Sequence, residues 1–547
     1  MKKRIVVVGG GFAGVYAAQA LEQKLRRRDD WEIYLFSRDN YFVFQPMLPE
    51  VISGTIGLTD VVSPLRRLLR HTQVVVRDVE SIDVANKTIT AAPGFRPHAH
   101  VERFDHLVLA PGTVTDFRGL PGLPEHALPF KNLADALELR ARAIRALEEA
   151  DVEDDDPILR KQLLTFVVAG GGFSGVEVVA ELNDFVRGIA RLYRRIDPRD
   201  IRVVLVHGQN EILPEVAPKL RAFAAKILRG RGVELVLNQR LKAATAEAAV
   251  LSDGTTIPTR TLVSTIPSSP HPLIETLDLP KTKNGRLIVD AHLRVQGRDD
   301  IWALGDCASV PTAGGAPCPP TAQHATRQAQ VAAGNIVTTI DGGNGLRAFD
   351  FKGLGKMGSL GRRNAVAEIF GLGISGFLAW FLWRTIYLSK LPGWGRRIKV
   401  ASAWTLDLIL PTELIQLRLG NTGGATHEYF EPGQIVFNEG ELGDRVYILL
   451  SGRAEVVRRR RNAGSADNTS DAGEQVFATL GPGDCFGEMA LLGSAPRNAT
   501  VRCLEAMTVL SIPKREFGLL AANVPGLRAS FEQVMARRGL PPSPPPS

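Results

Sequence analysis

Ile5-Val6-Val7-Val8-Gly9-Gly10-Gly11-Phe12-Ala13-Gly14 and Phe166-Val167-Val168-Ala169-Gly170-Gly171-Gly172-Phe173-Ser174-Gly175 are one phrase written twice in a chain of 547 residues. In each, an apolar run of buried-strand character enters a GxGxxG turn. Helical spacing of apolar residues follows: Val15, Ala18, Leu21 and Leu25 after the first copy, Val176, Val179 and Leu182 after the second. The first glycine of such a turn reverses the chain and the second lets the backbone approach a pyrophosphate. The helix N-terminus then offers unpaired N–H groups and its dipole to the anion. One copy alone is as compatible with an ordinary glycine turn. Two copies in matching strand–turn–helix contexts point to two dinucleotides held face to face, a flavin reduced by a nicotinamide. The expected fold class is α/β, with two Rossmann-like dinucleotide-binding domains.

A third element supports this pairing. Ile301-Trp302-Ala303-Leu304-Gly305-Asp306 is an apolar strand ending in Gly-Asp, and Leu107-Val108-Leu109-Ala110-Pro111-Gly112 is a second apolar run closed by glycine. An acid beside a close-approach glycine suits the ribityl hydroxyls of a flavin, although Gly-Asp also marks plain strand-end turns. On these residues the chain resembles the flavoproteins with two dinucleotide-binding domains, in the glutathione-reductase-like layout of FAD domain, inserted NAD domain and return to FAD. The layout implies a first FAD-binding segment over 1–120, an inserted NAD(P)H-binding domain over 121–295 (core 160–280) and a returning FAD-binding segment over 296–345. The residues it implies at FAD are Gly9, Gly11, Phe12, Ala13, Gly14, Ser37, Arg38, Ala110, Gly112, Asp306, Ala322 and Gln323. Those implied at NADH are Gly170, Gly172, Phe173, Ser174, Gly175, Glu177 and His207.

Length and composition narrow the class. A chain this long holds several cores, because single cores stop growing near about 250–300 residues. The four cysteines, Cys307, Cys318, Cys485 and Cys503, contain no CxxC pair, which removes a redox dithiol and a secreted disulfide scaffold. Cys307 and Cys318 lie near the flavin motif, but their spacing reads as buried thiols rather than a sulfide-oxidising pair. No metal site is expected. Met1-Lys2-Lys3-Arg4 runs directly into the first strand, so no signal peptide is read and a cytoplasmic protein is expected.

The charge is concentrated. Between Leu346 and Leu419 there are eleven basic and four acidic residues; the difference, +7, is nearly the whole formal +8 of the chain. The same stretch carries four of the six tryptophans, Trp380, Trp383, Trp394 and Trp404, around the fourteen-residue apolar run Ile369 to Leu382. Basic residues and Trp around such a run describe a surface at lipid headgroups. Fourteen residues are too few for a span, which needs about 20. The expectation is an amphipathic basic membrane-associating segment over 346–418, attached from one side to anionic lipid, with Trp380, Phe381 and Trp383 inserting. A buried core helix is the alternative. The interleaved tryptophans and leucines favour lipid over nucleic acid.

After Gly305-Asp306 comes Pro319-Pro320-Thr321-Ala322-Gln323-His324-Ala325-Thr326-Arg327-Gln328, opening a helix. With Asn40-Tyr41-Phe42, Leu48-Pro49-Glu50 and Gly376-Phe377-Leu378-Ala379-Trp380, it resembles the type II NADH:quinone oxidoreductases, whose quinone motif reads Ala-Gln-x-Ala-x-Gln. The resemblance covers roughly residues 4 to 415. It implies a non-covalent FAD that takes hydride from NADH and passes two electrons to membrane quinone without pumping protons. It further implies Glu177 beside the nicotinamide and Gln323, Arg327 and Lys356 in catalytic positions. For Glu177, a first-turn acid stabilised by the helix dipole is the alternative; for Lys356, a solvated lysine. Three positions depart from the pattern. Arg327 stands at the second motif glutamine, with Gln328 beside it. Ser37, followed by Arg38, replaces a ribose-binding acid. His207 ends Val203-Val204-Leu205-Val206 where NAD-selective domains place Glu or Asp. A histidine does not repel a 2′-phosphate as a carboxylate would, so NADH is the expected donor with NADPH as the alternative.

Beyond Asn421-Thr422-Gly423-Gly424 the pattern turns to short alternating strands and glycine turns over 425–538. Arg461 to Gly473 reads as a polar loop, and 539–547 as a Pro-rich tail. Phe486-Gly487-Glu488-Met489-Ala490-Leu491-Leu492 followed by Pro496-Arg497-Asn498-Ala499-Thr500-Val501 resembles the phosphate-binding cassette of cyclic-nucleotide-binding domains. The resemblance implies a β-roll in which Phe486, Gly487, Glu488, Met489, Ala490, Arg497, Asn498 and Ala499 hold cAMP or cGMP. Glu488 would take the ribose 2′-OH and Arg497 the cyclic phosphate. Asn498 leaves the base undecided.

The function expected is thus an FAD-dependent NADH:quinone oxidoreductase, peripheral on the cytoplasmic face of the cell membrane, tuned by a cyclic nucleotide and compatible with a homodimer. Two alternatives stand beside it. One is a soluble NAD(P)H-dependent flavin reductase using another acceptor; the other is a non-catalytic flavin and cyclic-nucleotide sensor.

Overall fold

In a computed structural model the chain is described over residues 2–92, 100–117, 119–266, 269–407, 410, 414–415, 426–441, 445–459, 474–487 and 497–513. The two fingerprints head matching halves. The first sheet is parallel throughout, in the order Ile301–Ala303, His106–Leu109, Lys3–Val8, Trp31–Ser37, Gln73–Val76. The second, also parallel, runs Ala127–Pro129, Thr261–Ser264, Thr165–Ala169, Arg202–His207, Val233–Leu237. In each the fingerprint strand is central, so both its faces are covered and its sequence is a continuous apolar run. Ile5, Val6 and Val7, like Phe166, Val167 and Val168, are fully buried.

The repeat extends to backbone detail. Gly9 and Gly170 have φ of +117° and +119°, a conformation side chains rarely adopt. A Cβ on Gly14 would collide with the carbonyl oxygen of Gly9, and one on Gly175 with that of Gly170. The third fingerprint glycine therefore sets how closely each helix, Phe12–Leu25 or Phe173–Ala190, approaches its strand.

Between the halves, Thr113–Val114 pairs antiparallel with Ser269–Pro270, so the outgoing and returning chains cross as a two-stranded hinge. The outgoing chain then forms the short helix Leu123–His126. After the return, the helix Ala322–Ile340 packs against Phe12–Leu25.

The basic segment folds as a three-stranded antiparallel sheet, Gly355–Ser359, Ala365–Ile369 and Leu372–Ser375, followed by helices Gly376–Lys390 and Trp394–Leu406. The apolar run is thus a hairpin end and a helix. Helical periodicity splits its side chains: Ala379, Trp380 and Trp383 are buried, whereas Phe377, Leu378 and Phe381 are more than half exposed. The expected insertion of Trp380 and Trp383 is corrected accordingly; both indoles are core, and Phe381 alone of the three faces outward. Among the described residues, no helix is long and apolar enough to cross a membrane.

The C-terminal strands Thr426–Phe430, Ile435–Phe437, Arg445–Arg459, Glu474–Leu480, Cys485–Phe486 and Thr500–Pro513 form one antiparallel sheet system around Phe430, Phe437, Tyr447, Leu449 and Met507. It meets the rest of the chain at the hinge helix, where the Tyr429 N–H donates to His126 Nε2 over 3.0 Å. Burial pushes the His126 pKa down to about 4, so the ring stays neutral and able to accept. The loop at 461–473, the tail at 539–547, and Glu488, Met489 and Ala490 lie outside the described residues.

Candidate functional site

The first fingerprint opens toward free space. A Cβ on Gly11 would meet no atom within 4 Å, and its φ is −86°, so the glycine is required by nothing in the protein itself. Phe12 and Ala13 begin the helix that Gly11 precedes, and Ala110 and Gly112 border the same turn: a Cβ on Gly9 would run into the Ala110 carbonyl. Ser37 ends the second strand and packs its hydroxyl against Gly10; Arg38 is exposed beside Asp39. Gly305 lies against Ala13 and Ala325, which carries Asp306 to the first helix. Burial raises the Asp306 pKa, opposed by the charges of Lys131 and Arg286. Lys131, in turn, is pushed down to about 8 by burial, and its ammonium donates to Thr113 of the hinge. A half-buried carboxyl, a half-buried lysine and an open glycine cradle fit a polar, anionic dinucleotide such as FAD.

Lys131 is not legible in the sequence as a site residue, because no motif surrounds it and the hinge brings it to Asp306. Cys307, fully buried, hydrogen-bonds the Leu109 and Leu304 carbonyls and is pushed up to about 12, an inert thiol. Cys318 is buried too.

The helix at Ala322–Ile340 uses its polar residues unequally. Gln328 is 2% exposed and accepts from Gly305 N–H, so it serves the flavin-domain turn. Gln323 donates to the Gly355 carbonyl and accepts from Leu354 N–H, which clamps it to the start of the C-terminal sheet. Arg327 donates to the Gln323 carbonyl and stacks its guanidinium 4.0 Å over Phe351. Lys356 is exposed and donates to the Glu215 carbonyl at 2.5 Å, tying that sheet to the second domain.

The second fingerprint resembles the first, with Gly170, Gly172, Phe173, Ser174 and Gly175 in the corresponding places. Gly172 has only Glu215 Oε1 near the position of a Cβ, at 3.2 Å. His207 ends its strand beside Gly171 and accepts that glycine's N–H on Nδ1 at 3.0 Å.

Glu177 lies one turn into the helix, where its Oε1 accepts from Ser359 N–H at 3.1 Å. Burial pushes its pKa up to about 8, helped by the field of Glu50. Burial, then the charge of Glu177, raises Tyr387, which meets Trp383 and Phe44 edge-to-face; Phe44 in turn touches Phe12 of the first fingerprint. One turn further, Glu181 is buried beside Ser53 and Glu50. Glu50 accepts from Trp404 Nε1 at 2.7 Å and faces Arg384, itself stacked on Trp380 and Trp404. Burial raises Glu50 and Glu181, and Arg384 opposes the rise in each.

This carboxyl cluster has a consequence for stability. A carboxyl raised in the folded state binds more protons there than in the unfolded chain between about pH 4.5 and its native titration. Folding is therefore expected to weaken as pH rises from about 5 to 8. Glu177→Gln should flatten part of that slope. Thermal melts of the two proteins at pH 5, 6, 7 and 8 check this, and identical slopes would contradict it.

In the β-roll, Arg497 is 5% exposed. Its guanidinium donates to the carbonyls of Gly487 and Arg445 and stacks 4.1 Å from the Phe437 ring. Phe486 and Ala499 are buried and Asn498 is exposed beside it. The arginine thus spans the two halves of the cassette, between the Gly487 turn and the Asn498–Ala499 turn.

Residues 3–329 match the family described as Pyridine nucleotide-disulphide oxidoreductase, and residues 427–523 the Cyclic nucleotide-binding domain. The type II NADH:quinone oxidoreductase Ndh of Mycobacterium tuberculosis is 30% identical over 422 residues, 75% of this chain and 88% of that protein. A probable NADH dehydrogenase of Dictyostelium discoideum is 29% identical over 418 residues, 75% of this chain and 91% of its own length. Among solved structures, NDH2 from Plasmodium falciparum in complex with NADH superposes with a TM-score of 0.71 at 19% identity, over 76% of this chain and 100% of that one. That family implies FAD and NADH as cofactors and a quinone as acceptor. By this family match, identity and common fold, the chain belongs to the type II NADH:quinone oxidoreductases of the pyridine nucleotide-disulphide oxidoreductase family, extended by a C-terminal cyclic nucleotide-binding domain.

Proposed function

We propose that the enzyme works at a membrane surface, reducing a lipid-soluble quinone with electrons from NADH, and that a cyclic mononucleotide at the β-roll regulates it. When bound, the flavin supplies two-electron exchange between hydride donor and quinone. The chain's own residues hold and orient. Gly11 and the N–H groups opening the Phe12 helix receive one pyrophosphate, and Asp306 takes ribityl hydroxyls with Lys131 balancing its charge. Gly172 and the Phe173 helix receive the nicotinamide dinucleotide. Glu177, kept protonated near neutral pH by burial, holds a proton on its carboxyl beside Tyr387, where a reduced quinone needs one. Gln323, fixed by the Gly355 carbonyl and Leu354 N–H, keeps its second amide N–H for a quinone carbonyl, with Arg327 alongside.

The observation that carries the membrane reading is the distribution of apolar side chains over the C-terminal helices and hairpin. Phe370 at the hairpin tip is 80% exposed, Trp394 77% and Ile398 64%, and Phe377, Leu378 and Phe381 line the open side of their helix. Exposed apolar clusters of this kind mark interaction sites. Lys390 and Lys399 are exposed on the same two helices and add attraction to anionic headgroups of roughly 1 kcal/mol each.

Wild-type protein is expected to co-sediment with vesicles containing phosphatidylglycerol and to remain bound in high salt, because screening removes charge attraction but not apolar burial. Phe377→Ser with Phe381→Ser should convert it to salt-releasable binding, since each buried Phe contributes roughly 2 kcal/mol. Quantitative release of the wild type by salt would contradict apolar attachment.

For regulation, the support is the point of contact. The β-roll touches the hinge helix Leu123–His126 through Tyr429, and a Cβ on Gly122 at the head of that helix would approach Tyr429 Cδ1 at 2.8 Å. A change in the β-roll on ligand binding would thus be delivered to the hinge between the two dinucleotide domains.

A further inference from the structure

The loop that follows strand Arg202–His207 returns over the second fingerprint and brings an anion with it. Leu213 N–H donates to the Gly171 carbonyl at 2.7 Å, and Leu213 holds a φ of +53°, a left-handed conformation rare for a residue with a side chain. Arg221, on the helix Pro218–Gly230, donates to the carbonyls of Pro214 and Val216 and pairs with Glu211 at 3.0 Å. Of the loop's two acids, Glu215 is the one left over. Its side chain is exposed, yet its Oε1 stands 3.2 Å from where a Cβ on Gly172 would lie, and its charge is felt by the imidazole of His207. The carboxylate therefore lies between the strand end and the N-terminus of Phe173–Ala190, whose N-cap, Gly172, offers no side chain to the first-turn N–H groups. Those N–H groups and the helix dipole favour an anion there. The pyrophosphate of a dinucleotide seeks the same place.

The loop is gripped from the basic segment. Lys356 Nζ donates to the Glu215 carbonyl at 2.5 Å, and Glu368 Oε2 accepts the Ala217 N–H at 2.9 Å. Lys356 and Glu368 are direct cross-strand partners in the antiparallel pair of Gly355–Ser359 with Ala365–Ile369. One rung of that sheet thus holds the backbone at both 215 and 217. Leu220 and Phe223, just beyond, lie beside Gly373 and Gly376 of the same segment. Both polar contacts run to main-chain atoms, so what they fix is the position of the loop.

We propose that Glu215 is a built-in competitor for the reductant's pyrophosphate, and that Lys356 and Glu368 are positioning residues that hold it in the cradle. The dinucleotide binds by displacing the carboxylate toward solvent, and the grip on the loop sets how readily that happens. Lys356 accordingly acts through the loop, on the entry of the reductant. The proposal rests on the reading that the second fingerprint binds the nicotinamide dinucleotide.

The test uses full-length, flavin-loaded enzyme. The probe is ADP-ribose, which carries the pyrophosphate without the nicotinamide, and uncharged adenosine is its control. In calorimetry Glu215→Gln should tighten ADP-ribose about three- to tenfold, because a like charge has left the cradle, and should not tighten adenosine. The KM for NADH should fall with it. Lys356→Met and Glu368→Ala should each tighten ADP-ribose as well, by less, and neither should add to Glu215→Gln in a double variant. Charge alone would move an anionic ligand in opposite directions when a cation or an anion is removed; a shared direction is the mark of a released loop. Unchanged or weaker ADP-ribose binding by Glu215→Gln overturns the competitor, and opposite shifts in the Lys356 and Glu368 variants overturn the grip. In both cases flavin bleaching by NADH leaves the parent reading standing. If ADP-ribose binds none of the proteins and NADH leaves the wild-type flavin oxidised, the nicotinamide assignment itself has failed.

Discussion

Gly11→Val enzyme is expected to purify folded but colourless. The position has an ordinary backbone, φ −86°, and a Cβ there touches nothing within 4 Å. The substitution therefore strains no portion of the protein; what it fills is the approach to the helix N-terminus that a pyrophosphate requires. Gly14→Val offers the contrast. Its Cβ would collide with the Gly9 carbonyl, so that protein should fail to fold rather than merely lose flavin. Flavin absorbance per polypeptide, read with circular dichroism on the same samples, separates the two. A Gly11→Val protein with full yellow colour would remove FAD from the first fingerprint.

The second large effect is expected at Arg497. Charge-assisted contacts to a cyclic phosphate are worth roughly 1.5–3 kcal/mol, so Arg497→Ala should weaken cAMP or cGMP about ten- to a hundredfold. The guanidinium also donates to Gly487 and Arg445 and stacks on Phe437. Its removal leaves two carbonyls short of donors and should destabilise the β-roll by a further ~2 kcal/mol. Arg497→Lys keeps the charge but not the fork, and should sit between wild type and alanine in both measurements. Calorimetry with each nucleotide, beside thermal melts without ligand, resolves the two contributions. Undiminished binding by Arg497→Ala would move the nucleotide away from this cassette.

What is legible in the sequence is local chemistry in a fixed frame. The fingerprints, the Gly305-Asp306 strand end and the β-roll are short patterns whose geometry follows from glycine conformations and strand period, and they stand where the motifs place them. Residues that matter only through tertiary approach are illegible. Lys131 reaches Asp306 because the hinge folds it there, and Arg240 packs over Gly208 because that residue has no side chain. Glu181 hides within an apolar helical pattern, and its partners Glu50, Ser53 and Arg384 come from distant segments. Trp380 and Trp383 depart from expectation for a different reason. The run Ile369 to Leu382 reads as one apolar surface, whereas its helical stretch has an inner face, Ala379, Trp380 and Trp383, and an outer one, Phe377, Leu378 and Phe381.

The most direct measurement is anaerobic stopped-flow on the flavin-loaded enzyme bound to anionic vesicles. Mixing with NADH should bleach the flavin absorbance in one phase, and a second mix with a ubiquinone or menaquinone analogue should restore it within the turnover time. Gly172→Val should slow the bleaching and leave flavin content unchanged. Flavin that NADH and NADPH leave oxidised, or that is reduced but not reoxidised by any quinone, would contradict a nicotinamide:quinone oxidoreductase.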